Sequence, residues 1–309
     1  KSRTITFTSH MGRPNGKDLN LSLRPVAESM SDFLGKEVRF IEEVFGEKVE
    51  EQIEKSESKI FLLENLRFEN GEIQNDKEFS NQITKPFSSY IFDAFGAAHR
   101  EHASVVSFGE NLESFQGPLM DKEIHELDRL LNNSESGYAV LLGGAKISDK
   151  LNLIEKLLPK VEYLMVGGGM CFTLLKALGH EIGRSLLEES FISKAGELLN
   201  SRFGKKIILP IDFGVTDSID SSVRENVKLE DFKNDHIGVD IGPQTVTNFR
   251  KILTKSNNIF WNGPMGIFEK EAFSYGTKEI TEIISNSSAY TCIGGGDSVS
   301  AINKFSDKK

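Results

Sequence analysis

The sequence predicts an α/β protein of two domains, with mainly parallel sheets covered by helices on both faces. Three observations carry that prediction. A unit of short apolar strand, glycine-rich turn and helical pattern recurs along the chain. The strands are apolar on both faces, as in sheets buried from both sides. The 309 residues suffice for two domains of ordinary size. A composition of 38% hydrophobic and 27% charged residues supplies the core such domains need. The formal charge of −9 argues against a nucleic-acid surface. No apolar run approaches the ~18 residues of a membrane-spanning helix. Cys171 and Cys292 are too few for a disulfide framework or zinc cluster and suit a reducing compartment. No signal-peptide pattern precedes Ile5–Phe7.

In the first part of the chain, TITFTSH (4–10), VRFI (38–41), KIFLLENLRF (59–68) and SYIFDAFG (89–96) read as strands. They end in His10, Arg13, Arg67 and, just past the last strand, His99 and Arg100. Gly117-Pro118 is a breaker, and an amphipathic helix follows from Lys122. The expected domains are therefore residues 1–119 and residues 120–309, the second beginning with that interdomain helix. In the second, AVLLGG precedes a helix expected over Ile147–Leu158, because Ile147, Leu151, Ile154 and Leu158 keep helical spacing and Pro159 ends it. EYLMVGGGM precedes a helix at Phe172–Leu178, NIFWNGP surrounds Phe260, and YTCIGGGDS precedes Val299–Phe305. In a parallel sheet the turns after the strands share one edge, so four such turns predict a phosphate or nucleotide site.

Individual motifs admit two readings. In GGAKISDK, glycines allow close backbone approach, a helix N-terminus offers N–H groups to phosphate, and Lys146 and Lys150 add charge on one helical face. The same lysines also fit a solvated helix face. The spacing is not that of a Walker A loop. In GGGDS, Asp297 is either a magnesium ligand or a helix N-cap, and both can hold. In WNGPMGIFE, Asn262, Gly263 and Pro264 form a tight turn and Glu269 can meet ribose hydroxyls, or is a surface glutamate. His10, Arg13, Arg67, His99, Arg100 and His102 can converge on a small dianion or stand as separate surface charges. Zinc at His99 and His102 lacks a third ligand of suitable spacing.

As an ordered set, SHMGRP, SLRPVAE, LLENLRFE, FDAFGAAHREHAS, LLGGAKISDK, VGGGM, LPIDF, DIGPQT, WNGPMGIFE and IGGGDS resemble the phosphoglycerate kinase family over essentially the whole chain. The resemblance implies two Rossmann-like domains facing across a cleft and closing by hinge bending. It implies reversible phosphoryl transfer between 1,3-bisphosphoglycerate and ADP, giving 3-phosphoglycerate and ATP in glycolysis, with Mg²⁺ carried on the nucleotide. It further implies a cytoplasmic monomer whose partners are those small molecules, not nucleic acid or a membrane. His10, Arg13, Arg67 and Arg100 resemble the phosphoglycerate-binding patch. Lys146 resembles the lysine that stabilises the phosphoryl group in flight, and with Gly295 and Gly296 makes up the catalytic set. Lys150 resembles the residue on the nucleotide phosphates, while Gly144, Ala145, Gly169, Gly238 and Val239 shape the adenosine pocket. Asn262, Pro264 and Glu269 resemble the nucleotide-contacting turn, and Asp297 the magnesium ligand. Ser298 stands where the family more often has threonine and retains the hydroxyl.

The family pattern also has a strand bearing an Arg-Val-Asp-Phe-Asn-like motif before SHMGRP, and a further glycine-rich segment and tail after GGGDS. Neither is in this chain. The expectation is an internal fragment with an unpaired sheet edge in its first half, poorly folded there and nearly inactive by itself. An alternative function is a nucleotide-binding fragment or homologue without catalysis. A nicotinamide-dependent dehydrogenase needs a Gly-x-Gly-x-x-Gly turn that none of the strands supplies.

Overall fold

The computed structural model describes residues 4–132 and 137–306. Two compact units divide the chain between His125 and Glu126.

The first unit runs β1 (Ile5–Phe7), α1 (Arg24–Leu34), β2 (Arg39–Ile41), α2 (Glu47–Lys55), β3 (Ile60–Leu63), α3 (Asn70–Ile73), α4 (Lys77–Thr84), β4 (Ser89–Phe92), α5 (Ser107–Asn111) and β5 (Glu113–Gln116). It enters α6 (Pro118–Asn132), in which the division falls. The helix begins at Pro118 rather than Lys122, since proline's fixed φ suits a first helical position. Strands pair in parallel as β1-β3-β2 and, separately, as β4-β5. Successive residues of β3 face opposite ways, as a strand requires. Phe61 and Leu63 join a core with Ile41, Phe79 and Phe108, while Leu62 joins Leu23 and Ala27 beside α1. On β1, Ile5 and Phe7 remain 58% and 41% exposed, and β3 is its one sheet partner among the described residues.

The second unit contains β6 (Tyr138–Leu142), α7 (Leu151–Leu157), β7 (Tyr163–Val166), α8 (Cys171–Ala177), α9 (Ile192–Asn200), β8 (Ile207–Ile208), β9 (Asp212–Thr216), β10 (Glu225–Lys228), β11 (Ile237–Ile241), α10 (Pro243–Leu253), β12 (Asn258–Asn262), α11 (Tyr275–Ser285), β13 (Tyr290–Gly294) and α12 (Gly296–Phe305). A parallel five-stranded sheet has the order β13-β12-β6-β7-β8. Along β6, Tyr138, Val140 and Leu142 enter one core with residues of α7, α8 and α9. Ala139 and Leu141 enter the other with residues of α10, α11 and α12. The sheet is therefore helix-covered on both faces, which explains why its strands carry no polar alternation.

A second sheet, β10-β9-β11, is antiparallel throughout. The sequence pattern does not reveal it, because β9 is buried along its whole length. Asp212 on β9 links this sheet to α10: its carboxylate accepts the N–H groups of Gln244 and Thr245 at 2.8 and 2.7 Å. That satisfies two donors an α-helix leaves open at its start.

Candidate functional site

Register places the glycine turns of the second unit on one edge. Leu142, Asn262 and Gly294 are paired neighbours in β6, β12 and β13, and Leu142 also pairs with Val166 of β7. All four strands run the same way, so GGAK, GGGM, NGP and GGDS leave the sheet side by side at its carboxyl edge. Backbone bonds then stitch the turns together. Gly143 N–H donates to Asn262 O at 3.0 Å, Gly144 N–H to Pro264 O at 2.9 Å, and Gly168 N–H to Met265 O at 3.1 Å. A Cβ on Gly143 would lie 2.1 Å from Pro264 O, which explains glycine there.

The helix expected from Ile147 begins only at Leu151. Residues 147–150 instead make a turn, closed by the Lys150 N–H on Ile147 O at 3.0 Å. Glu188 accepts the Ser148 N–H at 3.1 Å and the Ser148 hydroxyl at 2.6 Å. The two lysines consequently differ. Lys146 is exposed and forms no hydrogen bond or ion pair among the described residues. Lys150 is half-buried and donates to Asn262, to the main-chain O at 3.3 Å and also to Oδ1. Burial lowers the Lys150 pKa, while the charges of Asp149 and Asp297 oppose that shift.

Helix α12 follows β13 directly, with Gly295 at φ 85° as its N-cap. Its first-turn N–H groups have no intrahelical acceptor and face outward with the positive end of the dipole. Asp297 is exposed in that turn. Ser298 is fully buried, and its hydroxyl accepts the Gly263 N–H at 2.6 Å, bracing the NGP turn.

Gly238 and Val239 lie on β11, where the pairing with β9 bulges between Gly238 and Asp240. A Cβ on Gly238 would meet the Phe172 ring at 2.0 Å. Val239 is buried, as is Pro264, so both support the wall of the site from behind. Val239 O accepts the Ile267 N–H at 2.9 Å, and Asp240 accepts the Gly276 N–H at 2.7 Å. The first bond joins β11 to the loop carrying Glu269, which is exposed, and the second joins β11 to α11. Lys304 of α12 fastens the same loop by donating to Phe268 O and Glu269 O at 2.9 and 3.3 Å. Ala145 is exposed beside Lys146, and Gly169 opens the turn before α8.

In the first unit, the basic residues gather behind the β1 and β3 ends. Arg67 is 6% exposed and donates to Gly12 O at 2.6 Å, while its buried Nε has no partner. Asn65 donates to Met11 O and Leu21 O, both at 2.9 Å, tying the 10–13 segment to this turn. His10 is pushed below its ordinary pKa by burial first, then by the charges of Arg67, His102 and Arg100. Arg100 and Arg13 likewise act on Arg67, after burial. One field therefore includes His10, Arg13, Arg67, Arg100 and His102, an array suited to a multiply charged anion. His99 is exposed. Glu72 is fully buried and holds the 102–104 segment through Ser104 N–H at 3.0 Å, the Ser104 hydroxyl at 2.6 Å and His102 Nδ1 at 3.5 Å. Glu72, Glu188 and Asp240 have no sequence signature, since each acts on residues distant in the chain.

No group of three or more His, Cys, Asp or Glu is placed to hold a metal ion among the described residues. A lone carboxylate such as Asp297 suits Mg²⁺ only when phosphate oxygens complete the coordination. No helix among the described residues is long and apolar enough to cross a membrane.

A family model described as phosphoglycerate kinase matches residues 1–309. The phosphoglycerate kinase of Salinispora arenicola is 43% identical over 305 residues, which cover 96% of this chain and 76% of that protein. That of Dictyoglomus turgidum is 42% identical over 307 residues, covering 98% and 78%. Among solved structures, phosphoglycerate kinase from Coxiella burnetii superposes with TM-score 0.81 at 32% identity, over 97% of this chain and 77% of that one. The enzyme from Pyrococcus horikoshii gives TM-score 0.83 at 30% identity, over 98% and 79%.

Proposed function

The chain belongs to the phosphoglycerate kinase family, and on that premise we propose that its two residue clusters divide the family reaction between them. The reaction is reversible transfer of a phosphoryl group from 1,3-bisphosphoglycerate to ADP, giving 3-phosphoglycerate and ATP. The basic cluster of His10, Arg13, Arg67 and Arg100 binds the phosphoglycerate, and the glycine-turn edge of the second unit binds the nucleotide. The reading that this chain binds nucleotide without chemistry is not favoured by its family.

In the direction of ATP synthesis, a β-phosphate oxygen of ADP attacks the acyl phosphate phosphorus. The bond from phosphorus to the acyl oxygen breaks, and its electron pair leaves on the carboxylate. In reverse, that carboxylate is already an anionic nucleophile, so no general base is needed. What remains is positioning and neutralisation of charge on the moving group. Lys146, with its unpaired ammonium, supplies the mobile charge, and the Gly295–Gly296 amides at the start of α12 supply fixed donors. Lys150 holds phosphates that stay on the nucleotide, beside Asn262. Gly144, Ala145, Gly169, Gly238, Val239 and Pro264 shape the adenosine side, and Glu269 takes ribose hydroxyls. Asp297 would hold Mg²⁺, which supplies charge neutralisation at phosphate oxygens. Ser298 retains the hydroxyl of the family's usual threonine and spends it on the NGP turn. The enzyme acts as a cytoplasmic monomer, in keeping with a glycolytic reaction between small molecules.

The observation that carries this reading is the Leu142–Asn262–Gly294 register, which brings Lys146, Lys150 and the α12 N-terminus to one edge. Arg67→Ala tests the division of labour. It should raise the phosphoglycerate KM about ten-fold or more, as loss of a charged hydrogen-bonding partner does, and leave the ADP KM unchanged. An unchanged phosphoglycerate KM removes Arg67 from that site.

A further inference from the structure

We propose that Glu188 is a positioning residue for phosphoryl transfer, acting through Lys146 by fixing the Ile147–Ser148 backbone. The inference rests on the reading that Lys146 stabilises the moving phosphoryl group.

Three ties, among others, hold the segment on which Lys146 stands. Before it, Gly144 N–H is bonded to Pro264 O. After it, the fully buried Ile147 side chain anchors in the core, and the Ser148 amide and hydroxyl are bound by Glu188. Beyond these, Lys150 is bonded to Asn262. Of the three, Glu188 is adjacent to Lys146 in the fold and comes from a separate segment. Its own N–H donates to Thr173 Oγ1 at 3.2 Å, and Thr173 is buried on α8. The carboxylate is thus presented from a fixed base.

Ile147, Leu151, Ile154 and Leu158 have the spacing of one continuous helix, which would begin at Ile147 and put Lys146 at its cap. Residues 147–150 instead close a tighter turn, with Lys150 N–H on Ile147 O at 3.0 Å, and Glu188 holds the Ser148 amide within it while the helix starts at Leu151. An anion supplied by the protein therefore occupies a donor that an isolated helix start would offer to phosphate. The phosphates are left to Lys146, Lys150 and the α12 amides. Burial pushes the Glu188 carboxyl up, but the Ser148 hydroxyl, the Ser148 and Ile147 amides and the Lys146 charge outweigh it and hold Glu188 below its ordinary value. The ionised form that binds the amides persists across neutral pH.

The test measures kcat, both KM values and thermal stability for Glu188→Ala, Glu188→Gln, Ser148→Ala, Lys146→Ala and the Glu188→Ala/Lys146→Ala pair. Misplacing a group by about 1 Å can cost ~100-fold. Glu188→Ala should lower kcat about ten-fold or more, with the ADP KM changed less than about three-fold. Glu188→Gln keeps an oxygen for the Ser148 amide and should recover most of the turnover. Ser148→Ala loses the hydroxyl bond but retains the amide bond, and falls between them. It also serves if Glu188→Ala does not fold. In the Lys146→Ala background, Glu188→Ala should reduce kcat little further, because its effect passes through the missing lysine.

Wild-type kcat in folded Glu188→Ala, or in Ser148→Ala with only stability changed, overturns the proposal. So do losses that simply multiply in the double variant. If Lys146→Ala itself turns over normally, the underlying reading of Lys146 fails instead.

Discussion

Lys150 Nζ donates to both the main-chain and side-chain oxygens of Asn262, a residue 112 positions later in the chain. The ammonium is half-buried and spends its hydrogen bonds on uncharged acceptors, while the nearby Asp149 and Asp297 charges only partly offset its desolvation. An incoming phosphate would replace neutral oxygens with charged ones, so the preference for anion is built into the unliganded site.

Lys150→Met should therefore weaken MgADP binding about ten-fold or more, the usual scale for a charge-assisted contact. Turnover at saturating nucleotide should fall much less. Calorimetric titration with MgADP, together with kcat, checks this. An unchanged dissociation constant would show that Lys150 only braces Asn262.

His10 gives a pH signature to the other cluster. Its folded pKa is depressed, by burial and then by Arg67, His102 and Arg100. The unfolded chain therefore binds more protons near pH 6, and stability from this group is present above about 6.5 and lost as pH falls. Phosphoglycerate would reverse the local field and raise the His10 pKa, so binding takes up a proton and affinity grows as pH falls through that range. Titrations near pH 6.5 in buffers of different ionisation enthalpy should show uptake that His10→Gln reduces. Equal uptake in both proteins would remove His10 from contact with the ligand's field.

Asp240 and Arg224 form a buried pair at 3.6 Å, at side-chain exposures of 0% and 11%. Burial pushes the Asp240 carboxyl up to about 7, against the Arg224 charge and the Gly276 and Ile241 amides. Because the folded pKa is raised, stability from this group is fully present below about pH 4 and is lost as pH rises toward 7. Arg224→Met should destabilise the protein more at pH 8 than at pH 5, by about 1–2 kcal/mol, since only the ionised carboxylate needs its partner. Urea melts at the two pH values check the sign. A larger loss at pH 5 would contradict the ionised pair.

Local residue patterns disclosed the parallel strands and the turns of the nucleotide edge, because glycine runs after apolar strands are short-range signals. They did not disclose the start of α7. Ile147 has helical spacing with Leu151, yet residues 147–150 close a tighter turn through Lys150 N–H on Ile147 O before the helix starts. The β10-β9-β11 sheet escaped for a related reason. Its strand β9 is buried on both faces, and its partners lie across loops, so neither alternation nor a tight hairpin marks it. In the basic cluster, residue types were legible as anion binders, but their convergence depends on Asn65 and Glu72 holding separate segments. Likewise, the burial of Val239 and Pro264 depends on neighbours distant in the chain and is not legible in residue type.

Lys146 is proposed to act on the phosphoryl group in flight rather than on bound nucleotide. Rapid-quench single-turnover transfer by Lys146→Ala, measured alongside its MgADP affinity, tests it most directly. The transfer rate should fall by about 100-fold or more, with the dissociation constant within about three-fold of wild type. Equal losses in transfer and affinity would contradict it.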